Sequence, residues 1–169
     1  LVNVPSSTIA REAVSVLPTR AGPEIGVAST KAFTAQLTVL LCFAVSIARA
    51  KGQIDDMRAA AIHTEIQTLP GLVGKALNLF DKIRPIAHRL SNSKSALFLG
   101  RGTLYPLALE GALKLKELSY IHAEGFASGE MKHGPIALID ENMPIVVIAT
   151  KFEHYDKIVS NIQEIKSRK

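Results

Sequence analysis

The stretch from Glu110 to His133, EGALKLKELSYIHAEGFASGEMKH, decides how this chain is read. Its first half is rich in Leu, Ala, Lys and Glu and holds no proline, which predicts a helix. On that helix Glu110, Lys114 and Glu117 stand at i, i+4 and i+7, so three ionisable heads share one face. Ala108, Leu115 and Leu118 are placed on the opposite side, against a sheet. After Tyr120 the residues shorten and glycines fall at Gly125 and Gly129, which predicts a turn-rich passage. It ends in Lys132-His133-Gly134-Pro135, a histidine just ahead of a forced bend. A carboxylate, an ammonium and an imidazole in one supersecondary unit are the groups that proton-transfer chemistry needs. Periodicity alone leaves a plainer account open, because Glu four residues before Lys is also the favoured order of an ordinary surface pair.

Composition narrows the classes. With 169 residues, 47% of them hydrophobic, the chain can bury a core and is not disordered. Aromatics make up 5% and Trp is absent, which argues against a stacking platform for single-stranded nucleic acid. The net charge of +5 is dispersed, with a short basic cluster at Lys166-Ser167-Arg168-Lys169. Nucleic-acid binding is not expected, and an anionic small molecule is compatible with this balance. Cys42 is the single cysteine, so no internal disulfide or zinc spacing arises and a reducing cytoplasm is expected. Neither metal nor cofactor is expected. The opening Leu1-Val2-Asn3-Val4-Pro5 has no charged leader and reads as the end of a strand. A fragment of a longer protein is the expectation.

In chain order, Ser6, Ser7 or Thr8 can cap a short helical turn from Ile9 to Glu12, and Val14 to Leu17 predict a buried strand. Gly26 to Lys31 open the next element with Ser29 or Thr30 as N-cap, and free N–H groups there favour an anion or a sugar hydroxyl. The helix from Thr30 to Arg49 is apolar nearly all round. Its uninterrupted apolar run, Leu37 to Ala48, is about 12 residues where a membrane span needs about 20. A helix buried between a sheet and another helix, or at a subunit contact, is therefore expected. Gly52 ends it, and Asp55 or Asp56 starts a helix closed by Pro70-Gly71. Two more follow, from Leu72 to Phe80 and from Asp81 to Leu90, the last with a kink or break at Pro85. His63 and His88 lie on these helices with no ligand spacing between them.

Ser91-Asn92-Ser93-Lys94-Ser95 is the clearest linker, and a boundary there divides the chain into 1–92 and 93–169. Beyond it come a strand at Ala96 to Leu99, a turn at Gly100-Arg101-Gly102-Thr103 and then the Glu110 helix, half of a βαβ unit. Pro135 to Ile139 form a short element, Pro144 to Ala149 a parallel-type buried strand and Phe152 to Lys169 a helix. Strands alternating with helices on both sides of the linker predict an α/β fold.

The block Glu24-Ile25-Gly26-Val27-Ala28-Ser29-Thr30-Lys31-Ala32-Phe33-Thr34 and the block from Glu110 to Pro135 together resemble the isomerase portion of the glutamine–fructose-6-phosphate aminotransferases. Asn3-Val4 and Ala10-Arg11-Glu12 fit the same family, and the likeness extends over nearly the whole chain. It implies a doubly wound parallel sheet of flavodoxin-like, sugar-isomerase (SIS) type. On that likeness, residues 1–92 are the end of a first SIS domain with connecting helices, and 93–169 the start of a second. The reaction it implies turns fructose 6-phosphate and glutamine-derived ammonia into glucosamine 6-phosphate.

By the same resemblance Glu117 is the base that moves a proton between C1 and C2 of the sugar imine. Lys114 sits beside it and Glu110 one turn back. His133 assists ring opening in the active site of a neighbouring subunit, and Val27 and Ser29 line the sugar pocket. A homodimer and a glutaminase domain of the parent chain are the implied partners, with no nucleic acid and no membrane. The chain also departs from the family. It has no glutaminase domain, and Cys42 cannot stand in for that domain's nucleophile. The phosphate loop and the imine-forming lysine are expected outside it, so the chain alone is expected to be inactive. The other readings are a SIS-type deglycase or ketose/aldose isomerase, and a sugar-phosphate sensor without catalysis. A sensor needs neither Glu117 nor His133.

Overall fold

Ser95 to Gly100 form the strand on which the second half of the chain is built. The structure is a computed structural model and describes residues 1–151 and 153–168. Its contacts gather into two units, Leu1–Phe80 and Asp81–Lys169.

In the second unit, strand β1 (Ser95–Gly100) is followed by helix α5 (Tyr105–Ser119) and strand β2 (His122–Ala127). Two 3₁₀ segments, Ser128–His133 and Pro135–Leu138, lead to strand β3 (Ile145–Val147) and helix α6 (Tyr155–Lys166). All pairing is parallel, in the order β2-β1-β3, with Ser95 opposite His122 and Leu97 opposite Ile145. Alternation along β1 separates two cores. Leu97 and Leu99 join Met131, Ile139 and Ile165 on one face, while Ala96 joins Ala112 and Ala123 on the other, with Phe98 and Leu115 beside them. Both faces are covered, as a parallel sheet requires.

The interface between α5 and the sheet is made of small residues. Ala108, Ala112 and Ala123 are buried. A Cβ on Gly111 would stand 2.8 Å from the Phe98 ring, and one on Gly125 would stand 2.8 Å from the Leu109 Cα. Gly125 is therefore a strand residue that lets the helix backbone lie against the sheet, where the sequence suggested a turn. Leu118 is 65% exposed, although the pattern had placed it on the sheet. Each helical residue advances about 100°, which carries it off the Ala108–Ala112–Leu115 face to the side. The helix stops at Tyr120, which is left-handed (φ 59°) and donates its N–H to the Lys116 carbonyl. Gly134, with φ 149°, makes the bend ahead of Pro135.

The first unit contains α1 (Thr8–Glu12), α2 (Lys31–Ala50) and α3 (Asp56–Leu77), and α4 (Phe80–Leu90) begins at its end. Ser7 caps α1 by accepting from the Ala10 N–H at 3.3 Å, and Asp55 caps α3 by accepting from the Arg58 N–H at 2.7 Å. Asn3 ties the preceding loops together. It accepts from Thr19 Oγ1 at 3.0 Å and from the Ala21 N–H at 2.9 Å, and donates to the Gly22 carbonyl at 2.7 Å.

Four expectations are corrected in this region. Val14 to Leu17 form no strand, and Val14 is fully exposed, because the only pairing nearby is a single bridge between Val2 and Pro18. A strand needs a continuous neighbour. Pro70 does not close a helix; α3 continues through it to Leu77, since one lost N–H is outweighed by good helix formers on either side. The helices expected on each side of Pro70 are thus one. Helix α2 packs on α3 with Val45 buried, but Leu37, Leu40, Leu41 and Phe43 are exposed, because the described residues of this unit hold no sheet to cover them. By length and composition alone, its 20 residues are enough to cross a bilayer. The end predicted at Phe152 and Lys169 for the last helix lies outside the described residues.

Gly125→Ala is expected to destabilise the full chain by about 1–3 kcal/mol through overpacking against Leu109. Urea unfolding followed by circular dichroism checks this, and an unchanged midpoint would refute the close packing.

Candidate active site

Glu110, Lys114 and Glu117 project from α5 on the side away from the alanine face. The Lys114 ammonium lies between the two carboxylates, 2.5 Å from Glu117 Oε2 and 3.5 Å from Glu110 Oε1. Their side chains are only 21%, 22% and 31% exposed for Lys114, Glu110 and Glu117, so the cluster is half sheltered. The hydrogen bond to Glu117 and the charge of Glu110 raise the Lys114 pKa above the usual lysine value, against an opposing effect of burial. One cation thus serves two acidic groups, and the nearer one, Glu117, is held in a fixed direction by its hydrogen bond from Lys114.

His133 does not join this cluster within one chain. It ends the 3₁₀ segment Ser128–His133 and is exposed. That segment packs through Met131 on the Leu97–Leu99 face of the sheet, whereas α5 covers the Ala96–Phe98 face. Met131 and α5 thus pack on opposite faces of the sheet, and among the described residues no ion pair joins His133 to Glu110 or Glu117.

Val27 and Ser29 lie in the first unit, ahead of α2. Val27 is fully exposed and Ser29 half-buried. Thr30 occupies the N-cap position without a side-chain cap, and its own N–H reaches Glu24 Oε1 at 3.5 Å. A carboxylate already faces this helix start, which makes it less welcoming to an anion than the pattern suggested. Glu24 is a residue the spacing did not single out, and its Oε2 is buried with no partner among the described residues. Its signal was an acidic side chain six residues before an uncapped helix. No group of three metal-ligating side chains occurs among the described residues.

The parallel sheet, its helices and the charged face of α5 define a class. The SIS domain family matches residues 89–169, and that stretch of the chain is a SIS domain. One such domain is matched, where the sequence had suggested parts of two in tandem. Over nearly its whole length the chain is similar to the isomerizing glutamine–fructose-6-phosphate aminotransferases. It is 56% identical over 168 residues to the aminotransferase of Brucella abortus, covering 99% of this chain and 28% of that relative. The corresponding figures for Rhizobium meliloti are 55% over 169 residues, with the same coverage. The C-terminal domain of the aminotransferase from Francisella tularensis superposes with a TM-score of 0.96 at 50% identity, over 98% of this chain and 47% of that structure. The chain thus spans less than a third of the length of the curated relatives it matches.

Because the folded-state pKa of Lys114 is raised, the stability it contributes is fully present below the ordinary lysine pKa and is lost as pH rises through the raised value. Lys114→Met should lower the melting temperature at neutral pH, with the gap from the parent chain closing only in strong alkali. Melting curves from neutral to alkaline pH check this; a gap that stays constant throughout refutes the pairing.

Proposed function

We propose that this chain is the proton-transfer part of a sugar-phosphate isomerase within an amidotransferase that makes glucosamine 6-phosphate from fructose 6-phosphate and glutamine-derived ammonia. The observation that carries this reading is the Glu110–Lys114–Glu117 cluster on a helix held close to the sheet. Glu117 is the base: its carboxylate removes a proton from C1 of the sugar imine and returns it at C2. Lys114 keeps that carboxylate directed and supplies positive charge beside it, and Glu110 fixes Lys114 from the other side. Val27 and Ser29 line the sugar pocket.

His133 assists ring opening in a second copy of the chain. Its exposure supports this, at the end of a segment that packs through Met131 on the sheet face opposite α5. A homodimer follows from that assignment, and the glutaminase domain of a longer parent is the source of ammonia. The phosphate grip and the imine-forming amine come from elsewhere in the parent, so the isolated chain is inactive. We read α2 as an interior helix of the parent's isomerase portion, working in the cytoplasm rather than across a bilayer.

In a complete amidotransferase containing this chain, Glu117→Gln is expected to slow deuterium exchange at C1 and C2 of the sugar by about 10²–10⁴-fold. Exchange that continues undiminished removes Glu117 from the role of base.

A further inference from the structure

Three contacts hold the segment Ser128–His133 while leaving its last imidazole exposed. Met131 is fully buried among Leu97, Leu99, Ile139 and Ile165 and fixes the middle of the segment to the sheet. The Arg101 guanidinium, just past the end of β1, lies against Gly129, where a Cβ would stand 3.2 Å from Nη1. Lys132, next to His133, reaches α6, with its Nζ 2.9 Å from Glu164 Oε1. The second Glu164 oxygen accepts from Asn161 Nδ2 at 3.4 Å, one turn earlier on the same helix. Asn161 is itself buried. The Lys132 side chain is 63% exposed and that of Glu164 27%, so the carboxylate is the fixed member of the pair and the lysine is the one being held.

A 3₁₀ turn has poorer hydrogen-bond geometry than an α-helix, and its end keeps a direction only if something outside it does the holding. Met131 fixes depth but stands two residues from His133, whereas Lys132 is its immediate neighbour. We propose that Glu164 is a positioning residue, which by holding Lys132 on α6 sets the direction in which His133 leaves the segment. This rests on the ring-opening reading of His133 and adds to it a residue on a separate helix. Glu164 touches no reacting atom and acts through Lys132. The hydrogen bond from Lys132 also lowers the Glu164 pKa below the usual glutamate value.

The test compares Glu164→Gln, Lys132→Met and the exchanged pair Lys132→Glu with Glu164→Lys. Amide hydrogen exchange is measured on the full chain, and steady-state kinetics on a complete amidotransferase containing it. In both single variants exchange across residues 128–133 should rise about two- to fivefold, the scale of losing one partly exposed ion pair. β1 and α5 should not change, and the exchanged pair should restore the original rates. In the enzyme, kcat should fall by a similar factor with KM for fructose 6-phosphate unaltered, and should recover in the exchanged pair. Unchanged exchange at 128–133, or a rise shared by β1 and α5, overturns the proposal. A local rise with unaltered kcat also overturns it, and His133→Ala then separates the causes. If that variant too leaves kcat unaltered, the reading of His133 has failed; if it lowers kcat, only the Glu164 step has failed.

Discussion

The near contact of α5 with β1 and β2 is the constraint on which the second unit depends. Gly111 admits the Phe98 ring and Gly125 admits the backbone at Leu109, with buried alanines at 108, 112 and 123 completing the interface. The helix contributes only glycine and alanine at these points, with the Phe98 ring filling the space at Gly111, so it has little freedom to roll or lift. The charged face of α5 inherits that rigidity. A side chain on a packed helix is held more accurately than one on a loop, and the Lys114 bridge needs both carboxylates in place at once.

The sheet then divides the chemistry. Its alternation sends Ala96 and Phe98 to the α5 side and Leu97 and Leu99 to the side of Met131 and Ile165. Helix α5 and Met131 are close in sequence but pack on different faces, because the chain passes along β2 between them.

The helices of the first unit show how far local pattern reaches. Asp55 and Ser7 were legible as caps because capping depends on neighbours within one turn. Pro70 misled because a proline removes one hydrogen bond, while some twenty residues of helix supply the rest. Val14 to Leu17 misled because β-branched residues make a strand only where another strand receives them. Helix α2 is apolar on sides that nothing in its own unit covers, which a composition count cannot foresee.

By itself the amino-acid sequence determined the elements whose hydrogen bonds are local, namely α1, α2, the start of α3 and α5, and the ionisable face of α5, since a period of 3.6 places Glu110, Lys114 and Glu117 together whatever surrounds them. It also marked β1 and β3 as short apolar runs between turns. Tertiary structure alone decided that Gly125 is a strand residue, that Leu118 faces outward and that Lys132 reaches Glu164. Each of these depends on atoms far away along the chain. Side-chain periodicity is a property of one segment, whereas close approach and burial are properties of two.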